Sequence, residues 1–367
     1  MRIAVVTPAF NAAAYIADAI GSVLGQTHCE LQHIIVDDGS TDGTAAIVSR
    51  FADPRLSLIR QPNAGVSAAR NRGAEAAADD ALLFLDADDW LAPSALETLA
   101  AALEAEPQAV AAVGAAAPFV SWPGLARRPP TTVLAARGKH VGGRAMRSPD
   151  TRALASPVPS NPAACRVTCG RDGTDQAASP ALRELLPRLL VQNQFANPGQ
   201  VLIRRAAARR AGIFSPGIVF GEDWEYLIRI ALQGPFAYAP HHAPLLFVRS
   251  RADGAYRRLA ANPDAFIPCM NAIFGNPALL ERFGLARLAS LRRRAEAENQ
   301  WIIGRELVRQ GNTRKGQQWL RRSVLAAPGA KRIMLLAVAH LLPCVPPTFR
   351  GPFQPYPPVA TRNRVVC

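Results

Sequence analysis

The residues best equipped for chemistry are three aspartates within four positions, Asp86, Asp88 and Asp89, directly behind the apolar run Leu82, Leu83, Phe84 and Leu85. Apolar residues that end abruptly in acid read as a buried strand with its charges at the carboxyl end. Carboxylates crowded there repel one another unless a cation sits between them, and a divalent metal is the natural occupant. The competing reading is an acidic turn with Asp89 capping a helix that restarts at Pro93.

A second acidic pair, Asp37 and Asp38, precedes Gly39 at the end of the apolar run 31–36. A carboxylate in that place can accept hydrogen bonds from a nucleobase or ribose, while Gly39 lets the backbone turn tightly and approach a ligand. Helix capping accounts for Ser40, Thr41 and Asp42 but not for the paired aspartates ahead of them. Residues 63–73 read NAGVSAARNRG, which as a helix brings Asn63, Ser67, Arg70 and Asn71 onto one face. Arginine offers fixed, paired donors suited to phosphate, and a solvated face is the alternative. Much later, Glu222 and Asp223 open an amphipathic helix expected over 222–233, with Trp224, Leu227, Ile228 and Ala231 toward the core. Asp223 is then left to face a cleft, or both acids simply favour the positive end of the helix dipole.

Positioning these groups takes alternating strands and helices. Strands are expected over 3–7, 31–36, 56–59, 81–85 and 109–113, with helices between them, one carrying Ile16, Ala19, Ile20, Val23 and Leu24 at helical spacing. Strands apolar on both faces call for an α/β architecture, a mostly parallel central sheet flanked by helices and joined by right-handed crossovers. Such sheets bind ligands beyond the carboxyl ends of their strands, where the polar clusters fall. From about 118 to 180 the pattern dissolves into Pro, Arg, Gly and Ser, which reads as an irregular insertion. Order returns with helices at 182–191 and 206–212 and strands at 200–203, 236–238 and 245–248. The remainder is helical, clearest at 285–310 and 315–326. The expected division is a domain over 1–250, a C-terminal helical extension over 251–342, and a proline-rich disordered tail over 343–367.

With 367 residues, about half of them hydrophobic, the chain can bury a substantial core. Its net charge of +14 comes almost entirely from arginine, since lysine occurs only at 139, 315 and 331. That surplus suits anionic partners such as nucleotide phosphates, acidic headgroups or nucleic acid. Nucleic acid is set aside, because the arginines are spread without interleaved aromatics and no zinc-finger, helix-turn-helix or RNA-binding signature is present. The six cysteines, at 29, 165, 169, 269, 344 and 367, show no CxxC pair and read as reduced cytosolic thiols. The N-terminal apolar run is too short for a signal peptide, and the stretch 333–343 falls below the roughly 20 residues needed to span a bilayer. A cytoplasmic placement, soluble or peripheral, is therefore expected. Lys331 and Arg332 head an apolar segment that could lie in an anionic membrane interface or pack on the rest of the chain.

Taken together, TPAFN (7–11), VDDGSTDGT (36–44), NAGVSAARNRG (63–73), FLDADDW (84–90) and GEDWEY (221–226) resemble the inverting glycosyltransferases of family 2, whose catalytic domain has the GT-A nucleotide-binding fold. The resemblance covers residues 1–115 well and 190–250 in part. It implies transfer of a sugar from a nucleotide-sugar donor, a UDP- or dTDP-sugar, to a glycan or lipid-linked acceptor in cell-surface polysaccharide or glycoconjugate synthesis. By position, Asp38 would contact the base with Asp37 beside it, and the backbone of Thr7, Pro8 and Phe10 would line the same pocket. Asn63, Arg70 and Asp86 would complete the nucleotide-sugar contacts, Arg70 facing the donor nucleotide. Asp86 and Asp88 would hold Mn2+ or Mg2+, Asp88 more directly, and Asp223 would be the general base with Glu222 supporting it.

Two departures stand out. The Gln-x-x-Arg-Trp motif and membrane-spanning helices of processive relatives are missing, so a single transfer per encounter is expected. Arg249 stands where many relatives carry a histidine, which puts a histidine metal ligand in doubt, and His241 and His242 read as surface or turn residues. A nucleotidyltransferase would bring a glycine- and lysine-rich phosphate loop near the N-terminus, yet no lysine precedes Lys139. A non-catalytic adaptor reading rests on paired helices over 295–328, with Trp301, Gly304, Leu307, Gly311 and Trp319. One such unit cannot bury its own face and is expected to pack on the catalytic domain.

Overall fold

Four strands, β1 (Ile3–Ala9), β2 (Leu31–Asp37), β3 (Leu56–Arg60) and β4 (Ala81–Phe84), run parallel as neighbours in the order β3-β2-β1-β4. They belong to a computed structural model that describes residues 1–119, 185–239, 243–250, 259 and 262–341. Helices α1 (Ile16–Leu24), α2 (Thr44–Val48) and α3 (Val66–Ala76) connect them. Side chains alternate across the sheet, so Ala4 and Val6 of β1 enter one core layer with Ile34, Val36 and Phe84, while Ile3 and Val5 enter the other with Ala19 and Val23 of α1. Burial on both faces is the reason these strands read as unbroken apolar runs.

The chain continues through β5 (Trp90–Leu91), α4 (Ala95–Ala105), β6 (Ala111–Val113) and β7 (Ala116–Phe119). After the insertion come α5 (Leu185–Val191), β8 (Val201–Arg204), α6 (Arg205–Ala211), α7 (Glu222–Ala231), β9 (Phe236–Tyr238) and β10 (Leu246–Arg249). The central sheet has the order β3-β2-β1-β4-β8-β6-β9, and β8 lies antiparallel to both its neighbours. A three-stranded sheet, β5-β10-β7, sits beside it.

Five helices follow: α8 (Ile267–Phe274), α9 (Pro277–Phe283), α10 (Leu285–Arg309), α11 (Thr313–Ala326) and α12 (Ala330–Leu341). Met270, Leu288 and Ala295 join the core layer that holds Val6, Phe84, Leu189 and Trp224. α10 and α11 touch through two glycines, since a Cβ on Gly304 would lie 2.9 Å from the Gly316 carbonyl oxygen and one on Gly316 would lie 2.8 Å from that of Gly304. α12 lays Leu335, Leu336, Val338 and Ala339 against Trp301, Val308 and Leu320 and leaves Ile333 and Met334 exposed.

Several boundaries differ from the sequence reading. α3 begins at Val66 because Gly65 adopts φ 90°, which keeps Asn63 off the helix. The short strand β5 intervenes before α4, whose first residue is Ala95 rather than Pro93. Residues 120–184, most of the insertion, and 342–367, which include the expected tail, lie outside the described residues, as do His241, His242, Cys165, Cys169, Cys344 and Cys367.

Candidate active site

Because β2, β1 and β4 are adjacent and parallel, the segments leaving their carboxyl ends meet at one edge of the sheet. They border a cavity of about 780 Å³. Pro8, Phe10 and Tyr15 come from the segment after β1, Asp38 from the end of β2, and Asp86 and Asp88 from the end of β4. Asn63, Gly65 and Arg70 line it before and on α3, and Glu222 and Asp223 line it from the start of α7.

Not every expected residue reaches this space. Thr7 is not among the residues lining it; its hydroxyl lies fully buried 3.0 Å from Nε2 of His33, whose pKa burial depresses to about 3. Asp37 also points away and is 0% exposed, accepting from the Ser40 N–H at 3.0 Å with Arg60 Nε 3.4 Å from its other oxygen. Successive residues of a strand face opposite ways, so only one of the two aspartates can turn to the cleft. Asp38 does, but its carboxylate is already engaged by Gln61 Nε2 at 2.7 Å, Ala64 N at 2.9 Å and Gly65 N at 2.8 Å. Asn63 donates to the Asp38 carbonyl at 3.0 Å, locking the loop in front of α3 onto the end of β2. Asn71 does not converge with Arg70, because it exchanges two hydrogen bonds with the backbone of Phe214 at 2.9 and 2.7 Å.

Arg70 holds the centre. Only 3% exposed, it donates from Nη2 to Asp86 at 2.9 Å and from Nη1 to Glu222 at 3.0 Å, and its guanidinium carbon lies 5.3 Å from the centre of the Phe214 ring. Burial alone would lower its pKa, but the carboxylates of Asp86, Glu222 and Asp223 more than offset this and raise it, so it stays charged. The arginine thus joins the acidic strand end to the acidic helix start.

Glu222 and Asp223 open α7 after Gly221, which takes φ 81° and whose hypothetical Cβ would lie 2.8 Å from Sγ of Cys269. The turn aims Asp223 into the cavity, where Oδ1 accepts the Trp224 N–H at 2.7 Å. Burial, then the neighbouring Glu222 carboxylate, push the Asp223 pKa up to about 7 against the pull of Arg70. A carboxyl group poised near neutrality is suited to proton transfer.

Asp89 does not cap a helix. Nearly fully buried, it accepts the Arg249 N–H at 2.8 Å on one oxygen and the Asn197 amide on the other. Burial and the charges of Asp86 and Asp88 raise its pKa well above the usual carboxylate range. Arg249 reaches back beneath the same loop, donating from Nε to the Asp88 carbonyl at 2.8 Å and from Nη2 to Asp18 at 3.2 Å, with Tyr15 and Phe119 rings 4.8 and 4.7 Å from its guanidinium carbon. Asn197 and Arg249 therefore fix the Asp86–Asp88 loop, a role that only the unusual arginine after the last strand hinted at in sequence.

The donor set suits a hard divalent cation: Asp86 and Asp88 supply carboxylate oxygens, and Mg2+-type ions are commonly held by one or two carboxylates together with substrate phosphates. Among the described residues no group of three or more His, Cys, Asp or Glu gathers as a complete metal cage. Gln192, Asn193, Asn262, Glu298 and Asn299 also line the cavity, contributed by segments that no motif singled out.

Residues 4–155 match the family model described as Glycosyl transferase family 2. Glycosyltransferase GlyA of Streptococcus pneumoniae serotype 4 is 37% identical over 100 residues, which is 27% of this chain and 14% of that protein. The Uncharacterized glycosyltransferase YibD of Escherichia coli K12 is 40% identical over 100 residues, 27% of this chain and 29% of its own length. The Chondroitin synthase of Pasteurella multocida is 35% identical over 97 residues, 26% of this chain and 10% of its own length. The chain thus spans well under half the length of these curated relatives. Among solved structures, S. aureus TarS 1–349 superposes with a TM-score of 0.55 at 16% identity, covering 94% of this chain and 87% of that one. The mannosyltransferase PcManGT from Pyrobaculum calidifontis, solved in complex with GDP-Man and Mn2+, gives 0.50 at 18% identity over 94% and 81%. The chain carries a glycosyltransferase family 2 domain with the GT-A fold.

Proposed function

We propose that this chain transfers a sugar, with inversion, from a nucleoside diphosphate sugar to an acceptor hydroxyl. The observation that carries the reading is the double ion pair of Arg70, which unites the Asp86–Asp88 strand end with the Glu222–Asp223 helix start across one cleft. The donor nucleotide lies along Pro8, Phe10, Asp38 and Asn63, where the half-exposed Phe10 ring offers an apolar face. Asp223 removes the acceptor proton as the oxygen attacks the anomeric carbon from the face opposite the departing diphosphate, and Glu222 keeps Asp223 basic.

A divalent cation held by Asp88 and Asp86 supplies positive charge to the departing diphosphate. Its need follows from charge accounting. In a chain of net charge +14, the described residues lining the cleft include one cationic side chain, Arg70, already committed to two carboxylates. The mannosyltransferase relative solved with GDP-Man and Mn2+ supports the same pairing of nucleotide sugar and metal.

The acceptor is a glycan or lipid-linked saccharide met at the cytoplasmic face of the membrane, and UDP- or dTDP-sugars are the first donors to try. No helix of the described residues is long and apolar enough to cross a membrane. Release of nucleoside diphosphate from a panel of UDP-, dTDP- and GDP-sugars with Mn2+ or Mg2+ tests the reading, and the anomeric configuration of the product, read by NMR, tests inversion. A protein that binds no nucleoside diphosphate and turns over no donor overturns it.

A further inference from the structure

Half of the cavity wall comes from parts of the chain that carry no donor motif. Gln192 follows α5, Asn262 precedes α8, and Glu298, Asn299 and Ile302 belong to α10. These elements pack on α7: Trp224 donates its indole N–H to the Leu189 carbonyl at 2.6 Å, Asn299 donates to Met270, and Leu189, Trp224, Met270 and Ala295 share one core layer. Their lining residues therefore stand on the same side of the cleft as Asp223, away from the strand ends that carry Asp38 and Asp88.

The chemistry of this side is uniform. The Gln192 and Asn262 carboxamides make no hydrogen bond within the protein, and Asn299 uses its N–H groups on Ala295 and Met270, leaving its carbonyl oxygen without a donor. Amide groups that are neither charged nor satisfied suit vicinal hydroxyls, which both donate and accept. Phe220, Val219 and Ile302 add apolar surface against which a pyranose face can lie. The ionised groups on this side are Glu222, Asp223 and Glu298, and Glu298 is paired with Arg332 at 2.6 Å. Apart from Arg70, the described lining holds no lysine or arginine to meet a phosphate or uronate, although the chain as a whole is strongly basic.

We infer that this wall is the acceptor subsite and that it takes an uncharged, hydroxyl-bearing sugar ring, with the helix Leu285–Arg309 supplying part of the recognition. The inference rests on the glycosyltransferase reading and narrows it. An anionic acceptor unit would bring its charge beside Glu222 and Asp223 without a counter-charge and is disfavoured there.

Saturation-transfer NMR on the full chain tests it, using uridine and guanosine diphosphates with Mg2+ and two probe sets: neutral gluco-, galacto- and manno-oligosaccharides, and oligogalacturonate with glucose 6-phosphate. Neutral saccharides should show transfer in the presence of nucleotide. The Gln192→Ala/Asn262→Ala variant, altered at exposed positions that hold no structural hydrogen bond, should lose at least about tenfold in saccharide affinity while nucleotide affinity stays within about twofold. Preference for the anionic probes, unchanged saccharide binding in the variant, or no saccharide binding while nucleotide binds each overturns the inference. Absence of nucleotide binding instead strikes the glycosyltransferase reading itself.

Discussion

The guanidinium of Arg70 lies 3.0 Å from the carboxylate of Glu222, a contact that closes a separation of 152 residues. Through its other nitrogen the same group holds Asp86 at 2.9 Å. One buried cation thus sets the spacing between the residues proposed to hold the metal and those proposed to move the proton.

Arg70→Met should therefore damage both functions at once. Breaking a buried pair by removing one partner typically costs about 3–5 kcal/mol. A urea melt should show a loss of that order, and the basic limb of the rate profile should move to higher pH, because the charge that pulls the Asp223 pKa down is gone. An unchanged profile in a folded variant would remove Arg70 from the electrostatics of the base.

Asp223 makes a prediction of sign. The rate of transfer should rise as pH passes through about 7, the value to which burial and Glu222 bring its pKa, and Asp223→Asn should lower transfer by about two to four powers of ten with donor affinity nearly intact. Stability runs the other way. The native state binds this proton more tightly than the unfolded chain, with its ordinary value near 3.9, so the stabilising contribution is complete below about 4 and lost as pH rises through about 7. Asp223→Asn should gain thermal stability over the parent across that window, and differential scanning at pH 4.5 and 7.5 reads the difference.

Metal removal separates Asp88 from the rest of the cleft. Calorimetry with nucleoside diphosphate should show affinity falling by about tenfold or more, roughly 1.4 kcal/mol, with chelator or with Asp88→Ala. Equal affinity in all three conditions would argue that no cation bridges the acids and the nucleotide.

Asp89 serves the same loop from below. Asp89→Ala strips acceptors from the Arg249 N–H and the Asn197 amide, both buried, and each unsatisfied group costs about 1–3 kcal/mol. A denaturation midpoint equal to that of the parent would mean that the loop keeps its place without the tie.

The exposed Ile333 and Met334 on α12 bear on membrane docking. Flotation with acidic vesicles at low salt should carry the protein upward, and the Ile333→Ser/Met334→Ser variant should stay below. Lys331 is held 4.5 Å over the Trp301 ring and Arg332 on Glu298, so both basic residues at the helix head already have partners. Failure of the parent to float with acidic lipid would leave packing on α10 and α11 as the whole role of the helix.

Much of the donor side was legible in sequence because buried parallel strands write themselves as apolar runs, and their acidic ends are conspicuous at Asp38, Asp86 and Asp88. Which of Asp37 and Asp38 faces the cleft was not, since a two-residue period fixes opposition but not direction. Asn63 was misplaced onto a helix by spacing alone, where the backbone at Gly65 breaks the pattern. β8 gave no hint of running antiparallel, as Val201, Leu202 and Ile203 are buried like any central strand. The partners of Arg70, Asp89 and Asn71 are tertiary contacts over 16 to 152 residues, and no local periodicity encodes them.

The strand between β4 and β6 also dictates a schedule for synthesis. β6 ends at Val113 and β8 begins at Val201, so about ninety residues must be added before β8 can pair with either neighbour. At roughly 5–20 residues per second, the nascent chain spends on the order of 5–20 seconds with the hydrogen-bonding edge of β4 open. An open edge on a chain still leaving the ribosome is a template for mispairing, and the long segment that precedes β8 lengthens the delay.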